Sequence, residues 1–470
     1  MTTTEADPGT LVRGAWVLTA AAPGSGVPDA VPDGAVLVAG DRIVAVGPYA
    51  GLRAAHPRAA AAGGPHDLVL PGFVNTHGHF SEGLLAGIAE GYTLWEWIDA
   101  LIEPCMAHVG REEAFVGTQL AGIQMLRSGI TTASDLFYCE PGGDQPVTPE
   151  VVRALDALNL RGVVAYCGRD VGAPSPDPFV AEHLALRAAA AASRLSTFRV
   201  GVSTALSVSE AMLARSVELA RSGSHGVHVH LQEVREEVTA AVQRFGVTPV
   251  AHCAREGLFG TPTIAAHCVW VDRADREILA GHGVGVAHNP VANMILASGA
   301  APVAELRRLG VDVGIGVDGA ASNDSQDMLQ AVKSAALLAR VTALQATAMS
   351  AREAFEMATI GGARALAMAD EVGSLEPGKA ADVVVLDGTS PALANVHDPY
   401  QAVVWVAGSR EVREVWVGGR PSVAGGDVVT VDVAEVVARS RPLARRLAAR
   451  AGLGRLSVLA EEAVRRDPAG

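Results

Sequence analysis

Short apolar runs separated by tight turns mark both ends of the chain. LVRGAWVLTA, GAVLVAG and RIVAVGP follow one another within residues 10–67, with Gly, Pro and Asp between them. The same pattern returns in GSLEPGKAADVVVLDG and AVVWVAGSREVREVWVGGRPS. Runs of this length bounded by turn residues predict antiparallel strands. We therefore expect residues 1–67 and 368–432 to combine into one small β-sandwich domain.

Between the two ends, apolar runs alternate with longer amphipathic segments. Eight such runs can be counted, namely VLPGFVNTH, GITTASD, RGVVAYC, FRVGVST, GVHVHL, TPTIAAH, VGVAHN and VDVGIGVD. Segments with helical periodicity, such as EEAFVGTQLAGIQMLRSG, separate them. Eight strand and helix units over residues 68–367 predict an α/β fold, a closed (β/α)8 TIM-type barrel whose active site lies at the carboxyl ends of the strands. Residues 433–470 are expected to form a helical tail.

Composition and charge narrow the class of protein. The chain has 470 residues, 49% of them hydrophobic and 19% charged, with a formal net charge of −14. Partners that bind basic surfaces are therefore disfavoured, nucleic acid above all. No apolar stretch reaches the ~20 residues of a membrane span, and the N-terminus lacks the pattern of a signal peptide. We expect a cytoplasmic protein that acts on a small molecule.

The five cysteines carry no recognisable pattern. They are scattered without a CxxC pair or regular spacing, at Cys105, Cys139, Cys167, Cys253 and Cys268. Disulfide frameworks and zinc–thiolate sites both show regular spacings, so buried free thiols are expected.

Polar residues with metal-binding chemistry stand at the ends of four of the predicted barrel strands. They are His77 and His79, His230 with Glu233, His267, and Asp318. His77 and His79 are two residues apart on one strand, so both face the same side. With His230 and Asp318 they form a ligand set that suits one Zn²⁺, with Fe²⁺ as the alternative. His228 shares a face with His230 and is expected to support a ligand from behind.

The remaining strand-end groups predict hydrolysis. A bound ion lowers the pKa of its water toward about 7, which makes a nucleophile at neutral pH. Asp318 is placed to accept a proton from that water as well as to bind the ion. Glu233 can protonate a ring nitrogen and pass the proton to the departing group, and His267 can orient the nucleophile.

Five segments of the chain follow one another in a recognisable order: PGFVNTHGHF, HLQE, AAHC, HNPVANMILASG and GVDGAASND. This is the order of the motifs of the amidohydrolase superfamily, which the chain resembles over nearly its whole length. The resemblance is to the single-metal aminohydrolase and chlorohydrolase branch, and it implies hydrolytic deamination of an aminated N-heterocycle and a homo-oligomer. Binuclear members bridge their metals through a lysine on the fourth strand. This chain has only Lys333 and Lys379, both beyond Asp318, so one ion is expected.

The departures from the family concern the substrate. Relatives that act on S-adenosylhomocysteine carry an acid where this chain has Met106, and a histidine in the region of Ser203. A site built for hydroxyl groups needs polar partners, so the two departures favour a free purine, pyrimidine, pterin or triazine base. Further substrate contacts are expected from four residues: Trp95, Arg169, Trp270 and Asn293.

Three alternatives stay open. A chlorohydrolase or a cyclic amide or amidine hydrolase would use the same metal site. Glu233 favours an amine over chloride, because an amine must be protonated before it leaves. A barrel that serves only as a non-catalytic scaffold is disfavoured, since the whole set of expected ligands is present.

Overall fold

The computed structural model describes residues 8–88, 90–223 and 225–453. Its strands are β1 (Thr10–Leu18), β2 (Ala30–Ala39), β3 (Arg42–Pro48), β4 (Ala60–Gly63), β5 (Leu68–Pro71), β6 (Phe73–Asn75), β7 (Gly78–His79), β8 (Ile130–Phe137), β9 (Arg161–Tyr166), β10 (Ser196–Val202), β11 (Gly226–Leu231), β12 (Thr263–His267), β13 (Gly285–His288), β14 (Val313–Ile315), β15 (Asp318–Gly319), β16 (Val383–Leu386), β17 (Val412–Val417), β18 (Arg420–Ala424) and β19 (Asp427–Val428).

The α-helices are α1 (Tyr49–Ala55), α2 (Leu94–Trp97), α3 (Glu103–Met106), α4 (Arg111–Arg127), α5 (Pro149–Leu158), α6 (Asp177–Ala192), α7 (Glu210–Ser222), α8 (Arg235–Phe245), α9 (Pro249–Arg255), α10 (Arg273–Gly281), α11 (Pro290–Ile295), α12 (Val303–Arg308), α13 (Met328–Ala343), α14 (Ala351–Met357), α15 (Ile360–Ala365), α16 (Pro399–Gln401) and α17 (Val433–Arg450). Short 3₁₀ turns span Phe80–Glu82, Leu258–Gly260 and Ser409–Glu411, and π-helical segments span Ile98–Ile102 and Ala402–Val406.

Eight parallel strands form the barrel, in the order β6, β8, β9, β10, β11, β12, β13 and β14. Their residues are almost continuously buried, as in β8 and β12, because helices cover one face and the barrel core the other. The barrel is nearly closed where its last strand meets its first: the Thr76 amide donates to the Ile315 carbonyl over 3.0 Å, and β15 pairs with β7. The predicted eight-stranded barrel is confirmed.

The two chain ends form a separate sheet domain, as predicted. Strands β1 to β5 come from before the barrel and β16 to β19 from after it, and together they make a nine-stranded sheet. The two groups of strands meet at β5, which is parallel to its neighbour β1 and antiparallel to its neighbour β16. The domain boundaries at residues 67, 367 and 432 stay predictions.

Two smaller expectations can be compared with the structure. All five cysteines are buried and unpaired. The predicted tail begins as α17, which has Pro442 inside it, and residues 454–470 of the tail lie outside the described residues. No helix within the described ranges has the length and apolar character to cross a membrane.

Candidate metal centre

The six strand-end residues meet at the carboxyl ends of the barrel strands. His77 and His79 lie at β7, and Asp318 begins β15, which pairs with β7. His230 lies near the end of β11, Glu233 follows that strand, and His267 ends β12. Asp318 and His267 have φ values of 56° and 72°. Left-handed backbone at non-glycine residues is costly and concentrates at functional sites, so these two strand ends carry strain that other contacts must hold.

The distances are those of a metal site. The Nε2 atoms of His77 and His79 lie 3.3 and 3.6 Å from Oδ1 of Asp318, and the Nε2 atoms of His79 and His230 are 3.2 Å apart. His267 also belongs to the cluster, since its Nε2 lies 3.9 Å from Oδ2 of Asp318. Two overlapping triads of potential ligand atoms share His77: one adds His79 and His230, the other adds His267 and Asp318.

All four histidines turn the same nitrogen inward. Their Nδ1 atoms are engaged on the outside of the cluster, by His228 Nε2 (2.8 Å from His77), the Leu136 carbonyl (2.6 Å from His79), the Ser203 carbonyl (2.8 Å from His230) and Asn293 Oδ1 (2.9 Å from His267). Carbonyl and amide oxygens only accept hydrogen bonds, so the Nδ1–H groups of the last three histidines donate. Their Nε2 lone pairs therefore face the centre, which is the arrangement that a metal ion requires.

The protonation states suit the same purpose. Burial lowers the pKa of His77 to about 4 and lowers those of His79 and His230. Burial alone would raise the pKa of Asp318, but the neighbouring histidines His77, His267 and His79 together outweigh it, and the net shift is downward. Neutral imidazoles and an ionised carboxylate are the forms that bind a cation.

Glu233 and His267 differ from the other four. Burial raises the pKa of Glu233, so this carboxyl keeps its proton to a higher pH than usual. Burial lowers the pKa of His267, but the carboxylates of Glu233 and Asp318 outweigh that effect and the net shift is upward. The two side chains lie 3.4 Å apart, between Nε2 and Oε2, and Ser298 donates to the other carboxyl oxygen of Glu233. The pair is placed to move protons.

A cavity of about 280 Å³ opens above these groups. It reaches from the cluster to α2, α3 and the ends of β9 and β10, and its lining includes the predicted contacts Trp95, Arg169 and Ser203. A larger cavity, about 890 Å³, lies outside the barrel against α7, α8 and α9 and contains none of the six strand-end residues. The inner cavity is therefore the candidate substrate site.

Three other predicted contacts lie elsewhere. Met106 is 1% exposed, belongs to the hydrophobic core and does not line the cavity. Trp270 does not line it either, and its indole N–H donates to the Ser298 carbonyl. Asn293 is fully buried and contacts His267 instead of the cavity. These three residues therefore lie outside the cavity lining, although Trp270 contacts Ser298, which donates to Glu233, and Asn293 contacts His267.

The cavity lining also includes residues that no sequence motif marks. Glu82, Glu103, Tyr138 and Glu237 all line it. A π-helical segment, Ile98–Ile102, separates α2 from α3, and the wider turn brings Glu103 to the cavity while Met106 packs inward. The sequence marks Glu82 in one way, as a charged residue three positions after His79.

We expect replacement of His228 by Phe to weaken zinc binding by about 10- to 100-fold, because its imidazole supports the inward orientation of His77. Equilibrium dialysis with zinc measures this directly. His183→Asn is the control, since His183 is an equally buried histidine on α6, outside the cluster. Equal zinc affinities in the wild type and the His228 variant would show that His77 does not need this support.

Comparisons with known proteins agree with the geometry. The family described as "Amidohydrolase family" matches residues 68–421, and the description "Imidazolonepropionase-like composite domain, bacteria" matches residues 34–59. The 5-methylthioadenosine/S-adenosylhomocysteine deaminase of Symbiobacterium thermophilum is 37% identical over 448 residues, which cover 93% of this chain and 98% of that protein.

Solved structures show the same fold. An adenosine deaminase from Xanthomonas campestris with bound zinc superposes with a TM-score of 0.86 at 31% identity, over 93% of this chain and 98% of the other. Atrazine chlorohydrolase from Arthrobacter aurescens, complexed with zinc, gives a TM-score of 0.85 over 93% and 100% of the two chains. At 24% identity that second likeness concerns the fold alone.

Proposed function

Since the chain belongs to the amidohydrolase family, we propose that it is a metal-dependent deaminase that hydrolyses the bond between a ring carbon and its amino group and releases ammonia. The observation that carries the proposal is the cluster of four histidines whose Nε2 atoms converge beside Asp318, with the buried carboxyl of Glu233 at its edge. Such a cluster in the mouth of a parallel barrel is the expected place for hydrolytic chemistry.

The residues fit a single divalent cation, with zinc as the proposed ion. His77, His79, His230 and Asp318 would hold it, because their donor atoms converge and their outer atoms are already engaged. When bound, the ion supplies Lewis-acid activation of water at neutral pH. Neither lysine can bridge a second ion here: Lys333 donates to the Trp405 carbonyl and Lys379 to Ser374.

The chain's own groups account for the proton transfers. Asp318 accepts a proton from the attacking water, and His267 orients that water from the side of β12. Glu233 donates its proton to the ring nitrogen next to the reacting carbon. It then carries the proton of the newly added hydroxyl group to the amino group, so that the C–N bond breaks as the C=O bond forms and ammonia leaves. The proton that Asp318 accepted from the water restores Glu233. The raised pKa of Glu233 keeps that proton available. Chloride needs no such proton, which favours deamination over chlorohydrolysis.

The proposed substrate is an aminated N-heterocycle. Met106 gives no reason to exclude nucleosides, because it lies in the core, and Glu103, ion-paired with Arg169, lines the cavity instead. Two of the similar proteins named above are deaminases of adenosine-type compounds, those of Symbiobacterium thermophilum and Xanthomonas campestris. Amino-purines, as free bases and as nucleosides, are therefore the first ring class to test. A cytoplasmic location and a homo-oligomeric state stay predictions from the sequence.

We expect the zinc-loaded protein to release ammonia from at least one compound in a panel of amino-purines, amino-pyrimidines, pterins and triazines, supplied as free bases and as nucleosides. A coupled assay for ammonia measures the rate with each compound. The metal-free protein is the control for background hydrolysis. Ammonia from none of these rings, with one zinc bound per chain, would contradict the proposed function.

A further inference from the structure

Glu82 is a buried carboxyl in the substrate cavity that the proposed reaction does not use. Its exposed fraction is 3%, and it lines the same cavity as His79, Glu233 and Asp318. It lies in the 3₁₀ turn Phe80–Glu82, directly after the His77–His79 pair. Buried carboxyls are rare unless they are paired, so this one needs a partner or a function.

The surrounding chain holds the Glu82 carboxyl in a fixed place. The Ala321 amide donates to its Oε2 over 3.0 Å, and the Trp97 indole N–H donates to the Ala321 carbonyl over 3.1 Å. Gly319 leaves room for it, because a Cβ atom at that position would lie 1.8 Å from Oε2. The side chain therefore sits in a niche that β15 and the loop after it provide.

Most of the hydrogen-bonding capacity of this carboxyl is unused. Across the described residues, the bond from Ala321 is the one hydrogen bond that its oxygens make, and it occupies Oε2. Burial raises the pKa of Glu82, and the nearby charge of Asp318 raises it further. In its protonated form the carboxyl can donate a hydrogen bond to an acceptor atom of a ligand, and leaving it without a partner is costly.

Barrel topology places Glu82 across the cavity from Glu233. Glu82 follows the first barrel strand, β6 with its extension β7, whereas Glu233 follows the fifth, β11. Strands one and five of eight lie on opposite sides of a barrel. A flat ring whose reacting carbon lies over the metal ligands thus presents one edge to Glu233 and the opposite edge to Glu82.

We propose that Glu82 is a specificity-determining residue that forms a hydrogen bond with a ring heteroatom on the edge opposite Glu233. The inference rests on the proposed deaminase function and narrows its substrate to fused bicyclic amino-heterocycles. In a 6-aminopurine whose N1 faces Glu233, that opposite edge carries N7, a hydrogen-bond acceptor to which the protonated Glu82 carboxyl donates. A ring with carbon and hydrogen in place of N7 leaves the Glu82 carboxyl without a partner and is rejected.

The test compares 6-aminopurine substrates with their 7-deaza counterparts, which differ in that one atom. For the wild type we expect kcat/KM to be about 10- to 100-fold higher for the compounds that contain N7. In Glu82→Met this ratio falls to nearly one, mainly through loss of activity on the N7 compounds. Glu82→Gln, whose amide can donate and accept, keeps most of the preference. The control is Glu90→Gln, which leaves the ratio unchanged because Glu90 is an exposed acid eight residues after Glu82.

Two results would overturn the inference: no preference for N7 in the wild type, or a wild-type preference that persists in Glu82→Met. The first requires no variant, so misfolding of a variant cannot protect the proposal. Failure of the proposed deaminase function can be distinguished from failure of this inference, because the protein would then release no ammonia from any of the ring compounds. In that case calorimetry of the zinc-loaded protein with purine and 7-deazapurine measures the same preference as a ratio of dissociation constants.

Discussion

Glu233→Gln should lower kcat for ammonia release by about three orders of magnitude while the protein keeps its zinc. General acid–base groups contribute about 10²- to 10⁴-fold to rate, and an amide cannot pass a proton to the ring nitrogen or to the amino group. Glu233 is not among the clustered ligand atoms, and its carboxyl contacts Ser298 and His267 instead. Steady-state kinetics and metal analysis of the same preparation measure both parts of this expectation.

Glu236→Gln is the matched control for Glu233→Gln. Glu236 lies three residues away in the first turn of α8, and its side chain points to solvent. The Glu236→Gln substitution removes the same charge at a position outside the cavity, so we expect this variant to have wild-type kinetics. A Glu233→Gln enzyme with undiminished kcat would remove Glu233 from the proton transfers, and a loss of zinc in that variant would make it a structural element of the metal centre instead.

The ligand cluster could be predicted because strand geometry fixes it. In a parallel barrel the carboxyl ends of all strands meet at one rim, so residues that end strands become neighbours wherever they lie in the sequence. His77, His230 and Asp318 are far apart in the chain, yet each follows an apolar run that became a barrel strand. The support of His77 by His228 follows from the same rule, since residues two apart on a strand share a face.

The cavity walls could not be predicted in the same way. They come from the segment after β7, where a short helix, a π-helical segment and another short helix follow one another. A single π turn shifts every later side chain around the helix axis, and no periodic pattern in the sequence marks it. This is why the sequence predicts a substrate contact at Met106, whereas the structure places Glu103 in the cavity lining.

Other positions depended on partners from remote parts of the chain. The sequence predicts that Asn293 contacts substrate. In the structure Asn293 lies in α11, and its amide oxygen accepts a hydrogen bond from His267 at the end of β12. Trp97 is buried, lines the cavity and anchors Ala321 beside Glu82. Such pairings depend on which loops meet above the barrel, and strand periodicity carries no information about that.

His79→Asn should abolish zinc binding at micromolar zinc and with it ammonia release. His79 contributes one of the converging nitrogens, and a shorter amide side chain cannot reach the same point. A ligand that binds only the folded state stabilises it by about 2.7 kcal/mol at a concentration 100 times its Kd. We therefore expect added zinc to raise the Tm of the metal-free wild type by several degrees and to leave the Tm of the variant unchanged.

Metal content after dialysis gives the matching stoichiometry, about one zinc per wild-type chain and almost none per His79→Asn chain. His66→Asn is the control, because His66 is exposed and lies just before β5, in the part of the chain that builds the end sheet. It should bind zinc and respond in Tm as the wild type does. A His79 variant that still binds one zinc per chain with wild-type affinity would show that the ion is held by the second triad, His77, His267 and Asp318, with His267 as a ligand instead of a group that orients water.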